Sequence, residues 1–153
     1  MTGKNLTLVH CTRMPIRWGD MDAMGHVNNT VYFRYIEQAR IEWFSEIGCQ
    51  PDPLGEGPVI VNAHCSFLRQ LKYPGDIEVR TFTGTPGRSS FETTCEIRLI
   101  EAAGATGGDG APSQTVYAEA GAKVVWVHFP SEKSAPLPQW LRDLLLAGAV
   151  ESA

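Results

Sequence analysis

The sequence predicts an α+β fold in which one long helix packs on an antiparallel β-sheet. Three observations carry this. Only one long stretch, Asn29 to Ile47, has apolar residues at helical spacing. A short strand-like run precedes it, and nearly everything from Val59 to Phe129 reads as β-rich runs broken by Pro and Gly turns.

Taken in order, His10 to Trp18 is a short strand, with Met14, Ile16 and Trp18 alternating against Arg13, Pro15 and Arg17. Pro15 has no N–H to give a ladder, which puts this run at a sheet edge or at its own start. A polar loop, Gly19 to Asn29, leads into the helix, with Asn28 or Asn29 as N-cap. Tyr32, Ile36, Ala39, Trp43 and Ile47 form its apolar stripe, widened by Phe33 and Phe44. Arg34, Gln38, Glu42, Ser45 and Glu46 leave only a narrow polar face, so the helix needs a partner larger than another helix. Gly48 stops it. After a Pro/Gly-rich link, strands are expected at Val59–Leu71, Ile77–Thr85, Ser89–Ile100 and Gln114–Phe129. Turns fall at Tyr73–Asp76 and Pro86–Arg88, and Glu101–Ser113 is a glycine-rich loop. Gly121 marks a bulge or kink in the last strand, and Pro138–Leu146 a terminal helix. Hairpins joining consecutive strands make the sheet an antiparallel meander. Residues 1–153 contain no repeat and no boundary, which reads as a single domain.

Composition narrows the function classes. Hydrophobic residues make up 43% of the chain, enough for a core. The net charge of −4 comes without a basic cluster, which argues against nucleic acid. It leaves room for a CoA-type ligand, whose phosphates need only a few basic side chains or helix N-terminal amides. No apolar run is long enough for a membrane span, and Met1–Val9 lacks the apolar core of a signal peptide, so a cytoplasmic protein is expected. Cys11, Cys49, Cys65 and Cys95 have no zinc-type spacing and read as buried thiols.

The unusual chemistry lies in Gly19–Asn29. Asp20 and Asp22 sit two apart, followed by Gly25, His26 and two asparagines at a helix start. A helix N-terminus offers unpaired N–H groups to a carbonyl oxygen gaining charge. A carboxylate nearby can attack the carbonyl or activate water. From spacing alone, a second reading stays open: the same residues make only Asx-turns and a helix cap.

The run Arg17-Trp18-Gly19-Asp20-Met21-Asp22-Ala23-Met24-Gly25-His26-Val27-Asn28-Asn29-Thr30-Val31-Tyr32, continuing to Glu37-Gln38-Ala39-Arg40, resembles the signature of the 4-hydroxybenzoyl-CoA thioesterase-like family of hotdog proteins. Phe67–Asp76 is similar to that family's strand and P-G-D turn, and Leu137–Arg142 to its C-terminal element, so the resemblance spans nearly the whole chain. It implies a hotdog fold, a long central helix wrapped by a curved antiparallel β-sheet, in homodimers or homotetramers with interfacial active sites. It places the catalytic carboxylate on Asp22, the carbonyl-polarising amide on Asn29, and a polar site position on His26.

Other residues have plainer expectations. Asp20 orients the loop or pairs with Arg17, and Glu37 pairs with Arg40, although another hotdog branch uses a helix Glu as its carboxylate. Asn62, His64 and Ser66 share a strand face at the site, core or dimer interface, and His10 and His128 lie in strand-like runs without ligand spacing. Arg88, Ser89 and Ser90 are candidates to meet CoA phosphates. The expected activity is hydrolysis of an acyl-CoA thioester to free CoA and a carboxylic acid. No metal and no cofactor are expected, CoA being part of the substrate. The alternatives are a thioesterase acting on acyl carrier protein and a non-catalytic acyl-CoA-binding protein; a hotdog dehydratase lacks support, because its His-bearing site pattern is not found.

Overall fold

The computed structural model describes residues 5–101 and 110–151. The elements run β1 (Thr7–Ile16), a 3-10 turn (Trp18–Asp20), α1 (Asn29–Glu46), β2 (Glu56–Phe67), β3 (Gly75–Thr83), β4 (Ser90–Leu99), β5 (Ala118–His128), β6 (Lys133–Ser134) and α2 (Gln139–Glu151). The strands form one antiparallel sheet in the order β1-β3-β4-β5-β2, with β6 paired to the end of β5. The long helix on an antiparallel sheet is the expected hotdog architecture. β1 is an edge strand, the first of the two positions that Pro15 left open.

α1 lies against the sheet through Tyr32, Tyr35, Ile36, Ala39, Trp43 and Phe44, all buried. Its N-terminal half packs on Ile77, Val79, Cys95, Ile97, Ala118 and Ala120. Its C-terminal half packs with Phe91, Val124, Trp126 and, from α2, Leu141 and Leu145. Ala39 is fully buried, and the small residues Ala118, Ala120 and Ala122 leave room on β5 for the helix to sit close. Phe33 departs from expectation: it is exposed, because the buried stripe turns toward Tyr35 instead. Asn28 is the N-cap, its side chain accepting from Thr30 N, and Gly48 takes a φ of 74° just past the end.

Several expectations change. β2 does not form a hairpin with β3; it pairs with β5 at the opposite edge of the sheet. The alternating run that suggested strand as far as Leu71 leaves the sheet after Phe67, and Leu71 is buried in the crossing segment that returns to β3. Gly121 keeps register with both Thr94 and His64, so it is no bulge. A Cβ there would meet His64 Nε2 at 2.5 Å, so the glycine makes room for the imidazole. The register shifts fall instead between Leu8 and His10 and between Ile60 and Asn62. Cys49 and Cys95 are buried, but Cys65 is half-buried and Cys11 exposed on the edge strand. Most of the expected loop Glu101–Ser113 lies outside the described residues. No helix among the described residues is long and apolar enough to cross a membrane.

On the sheet face away from α1, Glu78 is only 4% exposed and lies between Arg80 (2.7 Å) and Arg13 (3.2 Å). Burial pushes its carboxyl up, but hydrogen bonds from Arg80, Cys11 and Arg13 and the charge of Arg80 outweigh this and hold it below the ordinary range. A depressed carboxylate stabilises the fold above its unfolded-state pKa and loses that contribution as pH falls through the folded value. Glu78→Gln is therefore expected to lower stability at neutral pH and to flatten its decline below about pH 4, the ordinary carboxylate range. Urea melts of both proteins from pH 7 to pH 3 check this; parallel curves would contradict it.

Candidate active site

The loop between β1 and α1 is tied down at nearly every residue. Asp20 is its hub: its Oδ2 accepts from Arg17 N (2.9 Å) and from the Tyr35 hydroxyl (2.7 Å). Its carbonyl accepts from Asn28 N at 2.9 Å. Asp20 thus joins the start of the loop, its end and the second turn of α1. Burial and the adjacent Asp20 carboxylate push the Tyr35 phenol far above its ordinary range, so it stays a proton donor. The expected link to Arg17 is present through the Arg17 backbone.

Within this frame the chain turns back at Gly25, whose φ of 78° suits glycine. Asp22 N donates to His26 O at 2.7 Å, and Met21 bridges Val27. Asp22 Oδ1 accepts from Met24 N (2.8 Å) and His26 N (3.2 Å). The Asx-turn reading is therefore correct for this oxygen. Oδ2 has no hydrogen-bond partner among the described residues, and the side chain is exposed. One oxygen anchors the carboxylate and the other remains open.

The helix start is divided in the same way. Asn28 Oδ1 accepts both the amide and the hydroxyl of Thr30 at 2.9 Å, and Val31 N bonds Asn28 O. Among the described residues the Asn29 amide has no acceptor. It remains an open donor at the positive end of the helix dipole. A carboxylate with one open oxygen and an open helix-start amide are the two groups that acyl transfer needs. The half-buried His26 belongs to the same loop and is held by its backbone.

The crossing segment after β2 closes the loop from outside. Val27 N donates to Leu71 O at 2.8 Å, Tyr73 N lies 3.4 Å from Met21 Sδ, and the Tyr32 hydroxyl lies 3.4 Å from Arg69 O. Sequence reasoning missed this segment and Tyr35. A Tyr on the buried face of a helix was the available signal, because its hydroxyl needs a partner.

The remaining candidates are placed elsewhere. Arg88, Ser89 and Ser90 lie at the far end of β4 from the loop, nine residues or about 30 Å along the strand from Leu99. Arg88 O and Ser89 O accept backbone bonds from Leu137 and Trp126, and Arg142 donates to Arg88 O, so this turn seats α2. Within one chain it does not reach Asp22. Asn62, His64 and Ser66 face the side of the sheet away from α1, opposite Lys123, Gly121 and Glu119. Glu37 pairs with Arg34 at 3.0 Å, not with Arg40, whose Nε is buried without a hydrogen-bond partner among the described residues. His10 bonds Glu46, and His128 bonds Ser131. Burial raises Cys49 and Cys65 to about 11 and also raises Cys11 and Cys95, so none is poised as a thiolate. Among the described residues no group of three His, Cys, Asp or Glu side chains converges on a common point that could hold a metal.

A long helix on an antiparallel sheet, entered through this D-x-D-x-x-G-H loop, defines a hotdog protein of the thioesterase type. The family model of the thioesterase-like superfamily matches residues 16–145, and the chain belongs to that superfamily. The PA2801 protein of Pseudomonas aeruginosa, a candidate thioesterase, is 34% identical, with a TM-score of 0.79 over 90% of this chain and 98% of that one. A 1,4-dihydroxy-2-naphthoyl-CoA thioesterase from Synechocystis shares the fold, with a TM-score of 0.75 and 18% identity over 90% of this chain and 95% of its own. The YsmA protein of Bacillus subtilis is 27% identical over 79 residues, which are 52% of this chain and 54% of that protein. The chain thus spans about half the length of the curated relatives it matches.

Tyr35→Phe removes the hydroxyl that binds Asp20 while keeping the buried ring. Losing one hydrogen bond to a charged, part-buried acceptor is expected to cost about 1–3 kcal/mol. Chemical denaturation measures it, and a change within error would show that Asp20 finds an equivalent partner.

Proposed function

We propose that this protein hydrolyses an acyl-CoA thioester, with Asp22 as nucleophile or general base and the Asn29 amide as oxyanion donor. The single observation that carries the reading is the paired opening in one rigid loop: Asp22 Oδ1 is anchored by two backbone amides while Oδ2 is open, and the Asn29 amide is left without an acceptor. Pre-oriented groups of this kind lower an acyl-transfer barrier without reorganising during reaction. Membership of the thioesterase-like superfamily and the CoA-thioesterase activity named for a structural neighbour support the choice of substrate. A nucleophilic and a general-base Asp22 need the same carboxylate in nearly the same place. His26 is assigned to positioning the substrate or the loop.

The reading includes a homodimer or homotetramer with sites at the interface. β2 supports it: the strand is twelve residues long, lies at the sheet edge, and exposes Val61 and Phe67. An edge of that length invites a second strand. Light scattering at assay concentration should give a dimer or larger; a strict monomer would remove both the oligomer and its interfacial site.

The decisive experiment compares Asp22→Asn, His26→Ala and Glu37→Gln with wild type on acyl-CoA, following CoA release. Asn retains an oxygen for the Met24 and His26 amides, so the loop should survive. Turnover should fall on the order of 10³-fold in Asp22→Asn, less in His26→Ala, and little in Glu37→Gln. If Glu37→Gln were dead and Asp22→Asn active, the carboxylate role would pass to the helix.

A further inference from the structure

We infer that Tyr35 is a positioning residue for the reaction: through Asp20 its hydroxyl fixes the open amide of Asn29 against the open oxygen of Asp22, and so governs turnover rather than substrate binding. This rests on the hydrolase reading above. Tyr35 acts on the two reacting groups only through Asp20.

The need for such a tie follows from how the reacting groups are carried. Asp22 belongs to the loop, where its Oδ1 is held by the amides of Met24 and His26. The Asn29 amide belongs to α1 and moves with the helix. Acyl transfer uses both at once, and an error of about 1 Å in their offset costs on the order of 10²-fold in rate. Burial does little to set that offset. Trp18 is 77% exposed and Met24 79%, and between Gly19 and Asn28 only Val27 has a buried apolar side chain.

Tyr35 has the rigidity and the reach for this task. Its ring is 4% exposed and packs in the core cluster at the N-terminal half of α1, beside Tyr32, with the two ring centres 6.4 Å apart. It stands about two turns beyond Asn29 on the same helix, so α1 carries both as one body. Its hydroxyl donates to Asp20 Oδ2 at 2.7 Å, a short bond of the charge-assisted kind. Burial, and then the Asp20 carboxylate, keep the phenol protonated, so the donor is permanent.

Asp20 passes the constraint on in both directions. The same Oδ2 accepts from Arg17 N at 2.9 Å, and Asp20 N donates to Arg17 O at 3.0 Å, which closes the 3-10 turn after β1. Asp20 O accepts from Asn28 N at 2.9 Å, at the residue that caps the helix and precedes the open amide. Asp22 follows two residues later. The tie runs from the helix body to Asp20, then forward along the chain to Asp22 and across to the helix start. Removing the hydroxyl frees the Asp20 side chain from α1 and leaves both reacting groups present, with their offset loosened.

The experiment measures kcat and KM on acyl-CoA, by CoA release, in wild type and in Tyr35→Phe, Asp20→Ala, Asp20→Asn, Tyr35→Phe/Asp20→Ala, Asp22→Asn and Val124→Ala. Circular dichroism sets a temperature at which the variants are folded. Tyr35→Phe should lower kcat about tenfold and Asp20→Ala about ten- to a hundredfold, with KM within about twofold of wild type. The double variant should match Asp20→Ala, because the two side chains act as one unit. Asp20→Asn keeps an oxygen for the phenol and for Arg17 N, and should restore most of kcat. Val124→Ala, a cavity in the other core cluster, should lower stability and leave kcat unchanged. If Asp20→Ala does not fold, Tyr35→Phe decides. Tyr35→Phe at wild-type kcat overturns the tie, and so does a loss that appears in KM instead. A fall in kcat that tracks lost stability equally in Val124→Ala reduces the tie to general stability. Asp20→Asn as impaired as Asp20→Ala makes the charge of Asp20 the operative feature and removes the tie. If wild type releases no CoA, or Asp22→Asn keeps wild-type turnover, the hydrolase reading fails and the positioning role falls with it. An inactive Asp22→Asn beside an unaffected Tyr35→Phe leaves that reading standing and removes the tie alone.

Discussion

The close packing of α1 on the sheet governs the rest of the molecule. Ala39 is fully buried, and facing alanines on β5 let the helix lie near the strands. With its body held between two apolar clusters, the helix presents its first turn at one end of the sheet, where β1 finishes and β3 begins. That end is where the backbone has donors to spare. The protein covers one of them with Asn28 and leaves another open.

Rigidity at the loop comes from polar rather than apolar contacts. Asp20 collects bonds from Arg17, Tyr35 and Asn28, and Asp22 collects two from its own turn. Each bond contributes modestly in net terms, but together they pin an exposed segment that has little core of its own. The two aspartates divide the work by what surrounds them. Asp20 is engaged by a buried phenol and by backbone, whereas Asp22 keeps one oxygen toward solvent. The same crossing segment that buries Leu71 also closes the loop, because the Leu71 carbonyl accepts from Val27 N at 2.8 Å.

Much of this was legible locally. The helix, its Asn28 cap and its Gly48 stop follow from periodicity and capping preferences, and they appear within a residue of expectation. The strands β3 and β4 follow from alternation between turn signals. The D-x-D loop could be singled out because two carboxylates ahead of a helix start are chemically unusual.

What the chain alone could not decide was pairing over distance. Alternation marks β2 as a strand, yet nothing local says that its neighbour is β5 rather than β3, because strand partners are chosen by the whole sheet. The same holds for Gly121, which reads as a bulge in isolation and proves to be space for His64 across the ladder. Glu37 could reach either Arg34 or Arg40 at three-residue spacing, and only the direction in which Arg40 is buried selects the first. The sequence by itself determined the helix, the strands and the residues of the loop, since each is written in neighbouring positions. The tertiary structure alone decided which strands pair, that the Tyr35 hydroxyl holds Asp20 and that the crossing segment closes the loop through Leu71 and Tyr73, because those depend on bonds between segments far apart in the chain.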